Sequence, residues 1–135
     1  GAAKMGIVGL MNCVAQEGAR YGILANTIVP TAGTRLTATV MPPDIVEKLK
    51  PEYVAPVVAY MCSEQFQESG KIFTAGGGYF SRAAIIEGPG VVLDITAEIT
   101  PDMIAEKFDA IKSLEGGREY SSATEQTGVI LSKMS

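Results

Sequence analysis

The chain has 135 residues, 47% hydrophobic and 19% charged, a balance that suits one globular domain and excludes a disordered or collagen-like segment. Its formal charge is -4, from 11 Lys and Arg against 15 Asp and Glu with no basic cluster, which argues against a nucleic-acid partner. It contains no histidine, so the usual near-neutral acid/base group and the commonest metal ligand are both missing, and proton chemistry falls to other groups.

From Ala2 to Arg20, apolar residues at Met5, Ile7, Leu10, Met11 and Val14 recur by threes and fours, as one helical face requires. Gly6 and Gly9 each weaken such a helix by about 1 kcal/mol relative to alanine, so they predict a packed face that another backbone approaches closely. Tyr21-Gly22 ends the helix. Ile23 to Val29 is almost wholly apolar or small, the pattern of a strand covered on both faces in a parallel sheet, and Pro30 stops it. Thr31 to Thr39 is a hydroxyl-rich loop leaving the carboxyl end of that strand, where open α/β sheets form their ligand crevice.

A short helix is predicted at Pro43 to Leu49, with Pro42-Pro43 at its start and Asp44 in its positive first turn. A second start at Pro51-Glu52 leads to a helix reaching about Ser63, with Val54, Val57, Val58 and Met61 inward. Ile72 to Ala75 is a second strand. Gly76-Gly77-Gly78 reads as a structural turn, because a phosphate cradle needs a helix to begin directly after it. Helix, strand, loop, helices, strand is an α/β order, and a crossover would set the two strands side by side. Cys13 and Cys62 each lie in an apolar stretch without metal or redox spacing, and both read as small buried hydrophobes, compatible with a reducing compartment. The longest strongly apolar stretch, Val54 to Cys62, falls well short of the roughly 20 residues of a membrane span, and Gly1 to Lys4 lacks the features of a secretory signal.

The last fifty or so residues have another character. Glu87-Gly88-Pro89-Gly90 is a turn, Val91 to Ile95 a predicted strand, and Thr100-Pro101-Asp102 a helix start with Thr100 as cap. Ile104, Phe108 and Ile111 share a face of the helix that follows, and Glu115 to Gln126 reads as a flexible connection. Asp94, Glu98 and Asp102 read as solvated carboxylates. The expected division is therefore residues 1–82 and an extension, 83–135, with one amphipathic helix and a flexible tail. Lys4, in the first turn of the first helix, is mildly unfavourable against the helix dipole and by itself reads as an exposed lysine.

Taken as one string, Gly1-Ala2-Ala3-Lys4-Met5-Gly6-Ile7-Val8-Gly9-Leu10, then Asn26-Thr27-Ile28-Val29-Pro30 and the hydroxyl-rich loop, resembles the carboxyl-terminal half of the short-chain dehydrogenase/reductase family. Pro42 to Pro56 resembles, more narrowly, the (3R)-hydroxyacyl-CoA dehydrogenase region of peroxisomal multifunctional enzymes and their bacterial stand-alone relatives. The resemblance runs from about Gly1 to Arg82 and continues more loosely into the tail. It implies an α/β fold, the carboxyl-terminal part of a Rossmann-type doubly wound parallel sheet, keeping the last two strands and flanking helices, followed by a C-terminal extension.

The resemblance also implies a chemistry: hydride transfer between a 3-hydroxyacyl or 3-oxoacyl thioester and NAD(H). The family's Tyr-x-x-x-Lys motif places its tyrosine immediately before Gly1 and makes Lys4 a catalytic and cofactor-binding residue. Residues i and i+4 of a helix are neighbours, and a fixed ammonium moves a phenol pKa from near 10 towards working pH, so the spacing agrees with that role. Val29, Pro30 and Thr31 then correspond to the segment lining the nicotinamide and pyrophosphate, with main-chain contacts from Val29 and Thr31. The cofactor-contacting threonine is Thr34 or Thr37, of which Thr37 is preferred. The family's usual glycine after the proline is Thr31 here.

The family's Thr-Gly-x-x-x-Gly-x-Gly loop and active-site Asn, Ser and Tyr are not among these residues, so the chain alone is expected to be inactive and to bind no cofactor. The edge of the first strand then needs a partner: an amino-terminal half, or another copy in a homo-oligomer. No metal is implied. The resemblance points to the cytoplasm for a bacterial source and the peroxisome for a eukaryotic one. The alternative is a non-catalytic dimerisation or acyl-binding module.

Overall fold

A computed structural model describes residues 1–134, which divide into two units, Gly1–Ala84 and the residues from Ile85 onward. The first unit is a mixed α/β structure. Helix α1, Ala2–Gly18, continues through a 3-10 turn, Ala19–Tyr21, and stops at Gly22, whose φ of 71° is left-handed. Gly18 is buried because the chain folds straight back over it: a Cβ there would stand 2.8 Å from Cβ of Ile23.

Strand β1 is Thr27–Pro30, shorter than Ile23 to Val29. The reason lies in side chains that capture the preceding backbone. Ala25 N–H donates to Ser69 Oγ at 3.1 Å, and Asn26 donates Nδ2 to Glu68 O at 2.8 Å while its Oδ1 accepts from Lys71 N–H at 3.0 Å. These bonds clip the two strand beginnings together and delay the ladder to Thr27.

Helix α2 is Pro43–Lys48, begun by proline and with Asp44 in its first turn. The expected helix from Pro51 to Ser63 is split into a 3-10 turn, Pro51–Tyr53, and helix α3, Ala55–Met61, because Pro56 brings no N–H and suits only a helix's first turn. Strand β2, Ile72–Gly76, pairs parallel with β1 in the register Thr27 to Ile72 through Pro30 to Ala75. Strand β3, Tyr79–Ala83, was not expected and pairs antiparallel with β2, giving the order β1-β2-β3. The glycine triple is the turn between β2 and β3. Gly77 and Gly78 both have positive φ, 56° and 80°, as a two-residue hairpin turn requires.

The core of this unit is small: Val8, Met11, Phe66 and Ala75 are its buried apolar residues. The Phe66 ring meets Tyr60 and Phe73 edge-on, with centroids 5.5 and 5.8 Å away. The buried side of α1 is not the expected one. Val8 and Met11, with half-buried Ala15, form its inner stripe, while Met5 and Leu10 are 59% and 65% exposed. Nothing lies within 4 Å of a Cβ built on Gly6 or Gly9, so the close backbone approach expected there is absent among the described residues. Both cysteines are exposed free thiols, a further correction: Cys13 lies on the outer side of α1, and Cys62 just past the end of α3.

In the second unit a backbone bridge joins Glu87 and Arg118, each N–H donating to the other's carbonyl at 2.9 and 3.0 Å. Val91 to Ile95 forms no strand; Asp94 instead closes a turn, accepting from Thr96 N–H and Oγ1 at 2.8 and 2.6 Å. Helix α4, Pro101–Ile111, starts at Thr100, whose Oγ1 accepts from Met103 N–H at 3.4 Å. The tail expected to be flexible holds a helix, α5, Ala123–Met134. Ser122 Oγ caps it by accepting from Glu125 N–H at 3.1 Å. Val91, Val92, Ile99, Ile104, Tyr120 and Ile130 help line an apolar hollow of about 350 Å³ in this unit, and none of its described residues is buried.

Candidate functional site

The site is built from the carboxyl end of β1 outward. Thr31 N–H donates to Ala75 O at 2.8 Å, so the ladder with β2 continues one residue past Pro30. The N–H of Thr27 also points to β2, donating to Lys71 O at 2.9 Å. By the alternation of a strand the donor of Val29 points the same way. The N–H groups of Val29 and Thr31 are therefore committed, and these residues offer a ligand their side chains. Val29, Pro30 and Thr31 are all exposed.

The loop beyond is ordered by hydroxyls. Thr37 Oγ1 accepts from Thr34 N–H at 2.6 Å and lies 3.1 Å from both Ala32 O and Thr34 O, to either of which it can donate. Thr34 Oγ1 has only long contacts, 3.4 Å each, to Thr37 N–H and Oγ1. Thr37 thus spends its hydroxyl on the loop, and that of Thr34 is the more available to a ligand. Gly33 is held close to α2: its N–H donates to Leu49 O at 2.5 Å and the Val46 carbonyl overlies its Cα.

Lys4 lies on α1 at the head of the inner stripe, four residues before Val8, seven before Met11 and eleven before Ala15, spacings that share one helix face. Ala15 Cβ is 3.8 Å from where a Cβ on Gly70 would stand, at the amino ends of the strands. Eleven residues back is about 16 Å along the axis, comparable with the about 13 Å of a four-residue strand. Because α1 packs on β1 after a tight reversal at Gly22, Lys4 stands towards the carboxyl ends of the strands, the end from which the Thr31 loop leaves. Its side chain is exposed and makes no hydrogen bond or ion pair among the described residues.

Two residues of the loop escaped sequence reading. Leu36 and Val40 are each 80% exposed, an apolar pair four residues apart beside a 3-10 turn, Thr37–Thr39. Their signal was two branched aliphatic residues at helical spacing inside an otherwise hydroxylic loop. The described residues hold no cluster of three or more Cys, Asp or Glu side chains able to take a metal ion, and no described helix is long and apolar enough to cross a membrane.

No family model matches the chain. Individual relatives do. A Mycobacterium tuberculosis protein described as a short-chain type dehydrogenase/reductase is 42% identical over 87% of this chain, which covers 41% of that protein. Peroxisomal multifunctional enzyme A of Dictyostelium discoideum is 39% identical over 97% of the chain, which covers 29% of the enzyme. A second M. tuberculosis relative, a hydroxyacyl-CoA dehydrogenase, is 32% identical over 81% of the chain and is covered to 32%. Among solved structures, full-length peroxisomal multifunctional enzyme type 2 of Drosophila melanogaster matches 97% of the chain with a TM-score of 0.84 and 33% identity, the chain covering 24% of it. The chain thus spans less than half the length of each of these relatives. Its homologues are short-chain dehydrogenase/reductase proteins, and it matches them, in sequence and in fold, over most of its own length.

Proposed function

We propose that these residues are the carboxyl-terminal part of an NAD-dependent dehydrogenase of 3-hydroxyacyl thioesters, contributing one side of a reaction site whose other side lies in polypeptide outside this chain. The observation that carries this reading is the position of Lys4, which heads the inner stripe of α1 at the end of the sheet from which the Thr31 loop departs. In this reading the Lys4 ammonium donates to the cofactor ribose and lowers the pKa of a phenol one helical turn before it, outside these residues. A tuned phenol suits a chain without histidine. Pro30, Val29 and Thr31 would help hold the nicotinamide, Thr34 would supply a hydroxyl, and Thr37 holds the loop in shape. The apolar pair Leu36 and Val40 suits an acyl chain.

Bound NAD supplies the hydride acceptor. The residues present fit only part of that cofactor: a lysine donor and loop hydroxyls are here, but the glycine triple is a hairpin turn and offers no pyrophosphate cradle. The chain alone is therefore read as inactive.

The test is a chimera in which these residues replace the matching segment of the M. tuberculosis short-chain relative. It is expected to reduce NAD with a 3-hydroxyacyl-CoA, and Lys4→Ala in it to lower kcat by at least about 100-fold. A Lys4→Ala chimera with unchanged kcat contradicts the reading.

One observation favours a second reading, an association module that works as a homo-oligomer. The outer face of α1 presents Met5 and Leu10 beside two glycines with open space above them. Light scattering and chimera activity together separate the two readings: association of the chain that is lost in Leu10→Glu, with an inactive unsubstituted chimera, favours the module, and an active chimera favours the dehydrogenase.

A further inference from the structure

The β2–β3 hairpin turns at the carboxyl end of β2, and β2 runs parallel to β1. The turn therefore lies at the end of the sheet from which the Thr31 loop leaves. Tyr79, the first residue of β3, pairs with Gly76. Opposite residues of an antiparallel pair project from one face, so Tyr79 stands on the face where a Gly76 side chain would. The Thr31 segment crosses that same face, with Thr31 O and Cβ 2.5 and 2.9 Å from the missing Cβ of Gly76. Tyr79 thus flanks Thr31 with only a glycine between them.

This is also the face of Lys4. By the alternation along each strand Thr27, Thr74 and Ser81 share it with Tyr79, and Thr74 Oγ1 and Ser81 Oγ lie 2.5 Å apart on it. Phe73 and Phe80 project from the opposite face, where Phe73 meets the Phe66 ring. Thr27 Oγ1 is buried, and the helix packed against β1 is α1. Lys4, heading the inner stripe of α1, and Tyr79 therefore stand at one end of one face. Tyr79 is 67% exposed, and its side chain makes no hydrogen bond or ring contact among the described residues.

The order β1-β2-β3 sets the side from which Tyr79 faces the site. It lies two strand spacings from β1, about 10 Å, and away from the open edge of β1. In the dehydrogenase reading the nicotinamide lies at Val29, Pro30 and Thr31, so a wall on the far side of Thr31 meets the part of a substrate that leads away from the reacting carbon. A four-carbon acyl group is too short to span that distance, and a long one is not. We propose, on that reading, that Tyr79 is a specificity-determining residue: its ring is the wall on which the acyl chain of a 3-hydroxyacyl thioester packs, favouring long chains over short ones.

Kinetics of the chimera that carries these residues test it with 3-hydroxyhexadecanoyl-CoA and 3-hydroxybutyryl-CoA. Tyr79→Ala is expected to lower kcat/KM for the long substrate at least about tenfold, through KM, and to leave the short one within about twofold. The retained activity on the short substrate shows at the same time that the variant is folded. Tyr79→Phe, which keeps the ring, and Phe80→Ala, on the opposite face, should leave the ratio of the two kcat/KM values within about twofold. The proposal is overturned if Tyr79→Ala leaves that ratio unmoved, or if Tyr79→Phe lowers it as far as alanine does. An active chimera with an unmoved ratio overturns this assignment alone, whereas a chimera inactive on both thioesters overturns the dehydrogenase reading and this assignment with it.

Discussion

The same residue type carries opposite consequences at different positions of this chain. Gly76 ends β2 where the chain beyond β1 packs against it, and a Cβ there would stand 2.5 Å from Thr31 O and 2.9 Å from Thr31 Cβ. Gly76→Ala should destabilise the first unit by about 1–3 kcal/mol through overpacking, read as a lower denaturation midpoint. Gly6 lies inside α1 with nothing within 4 Å of its missing Cβ. Gly6→Ala should stabilise by about 0.5–1 kcal/mol, because alanine loses less conformational entropy in a helix. A denaturation series in which both variants shift the same way contradicts this account. Phe66 is the third position of consequence, buried between Tyr60 and Phe73 in a core of four apolar side chains. Phe66→Ala should cost about 3–5 kcal/mol and abolish the cooperative transition of a core so small.

At the scale of elements, α5 depends on its start. Ser122 Oγ caps it, and Glu125 reaches back to accept from the Ser121 hydroxyl at 2.7 Å and N–H at 2.8 Å. Those two donors, the hydroxyl first, hold the Glu125 carboxyl below the usual glutamate range. Because the folded value is depressed, the contribution is present above the ordinary glutamate pKa of about 4.3 and is lost as pH falls through the lowered value. Carbon chemical shifts of residues 123–134 should therefore report fraying of α5 in acid, and Ser122→Ala should cost the helix about 1 kcal/mol at neutral pH. Unchanged shifts in Ser122→Ala contradict the capping.

The sequence showed α1, α2, α4 and the β1–β2 pair, because periodicity, proline placement and the Thr100 cap are local signals. It hid α5, although Ser122 followed three residues later by Glu125 is a recognisable helix start, because the Gly, Ser and Glu content around it reads as solvated chain. It hid β3, because Tyr79-Phe80-Ser81-Arg82-Ala83 alternates only weakly and becomes a strand through pairing with β2. The burial pattern of α1 was illegible for a different reason. That helix has apolar residues on two sides, and only the tertiary fold decides that Val8 and Met11, not Met5 and Leu10, turn inward. At the candidate site the residue types were legible and the bonding was not: Thr31 N–H is spent on Ala75, and Gly33 is set against Leu49 by a contact between distant parts of the sequence.

At the scale of the whole molecule, four buried apolar residues among those described stand against a long set of exposed ones, Met5, Leu10, Leu36, Val40, Phe108 and Leu131 among them. Among the described residues β1 has a neighbour on one edge only. Both features are what the proposed reading requires, in which polypeptide beyond these residues covers that surface and completes the cofactor site. Calorimetric titration of NAD into the 135-residue chain tests that claim most directly. The account predicts no saturable heat up to millimolar cofactor. A one-to-one isotherm with a Kd near 1 μM, worth about -8 kcal/mol, would show that these residues form a complete nucleotide site by themselves and would contradict it.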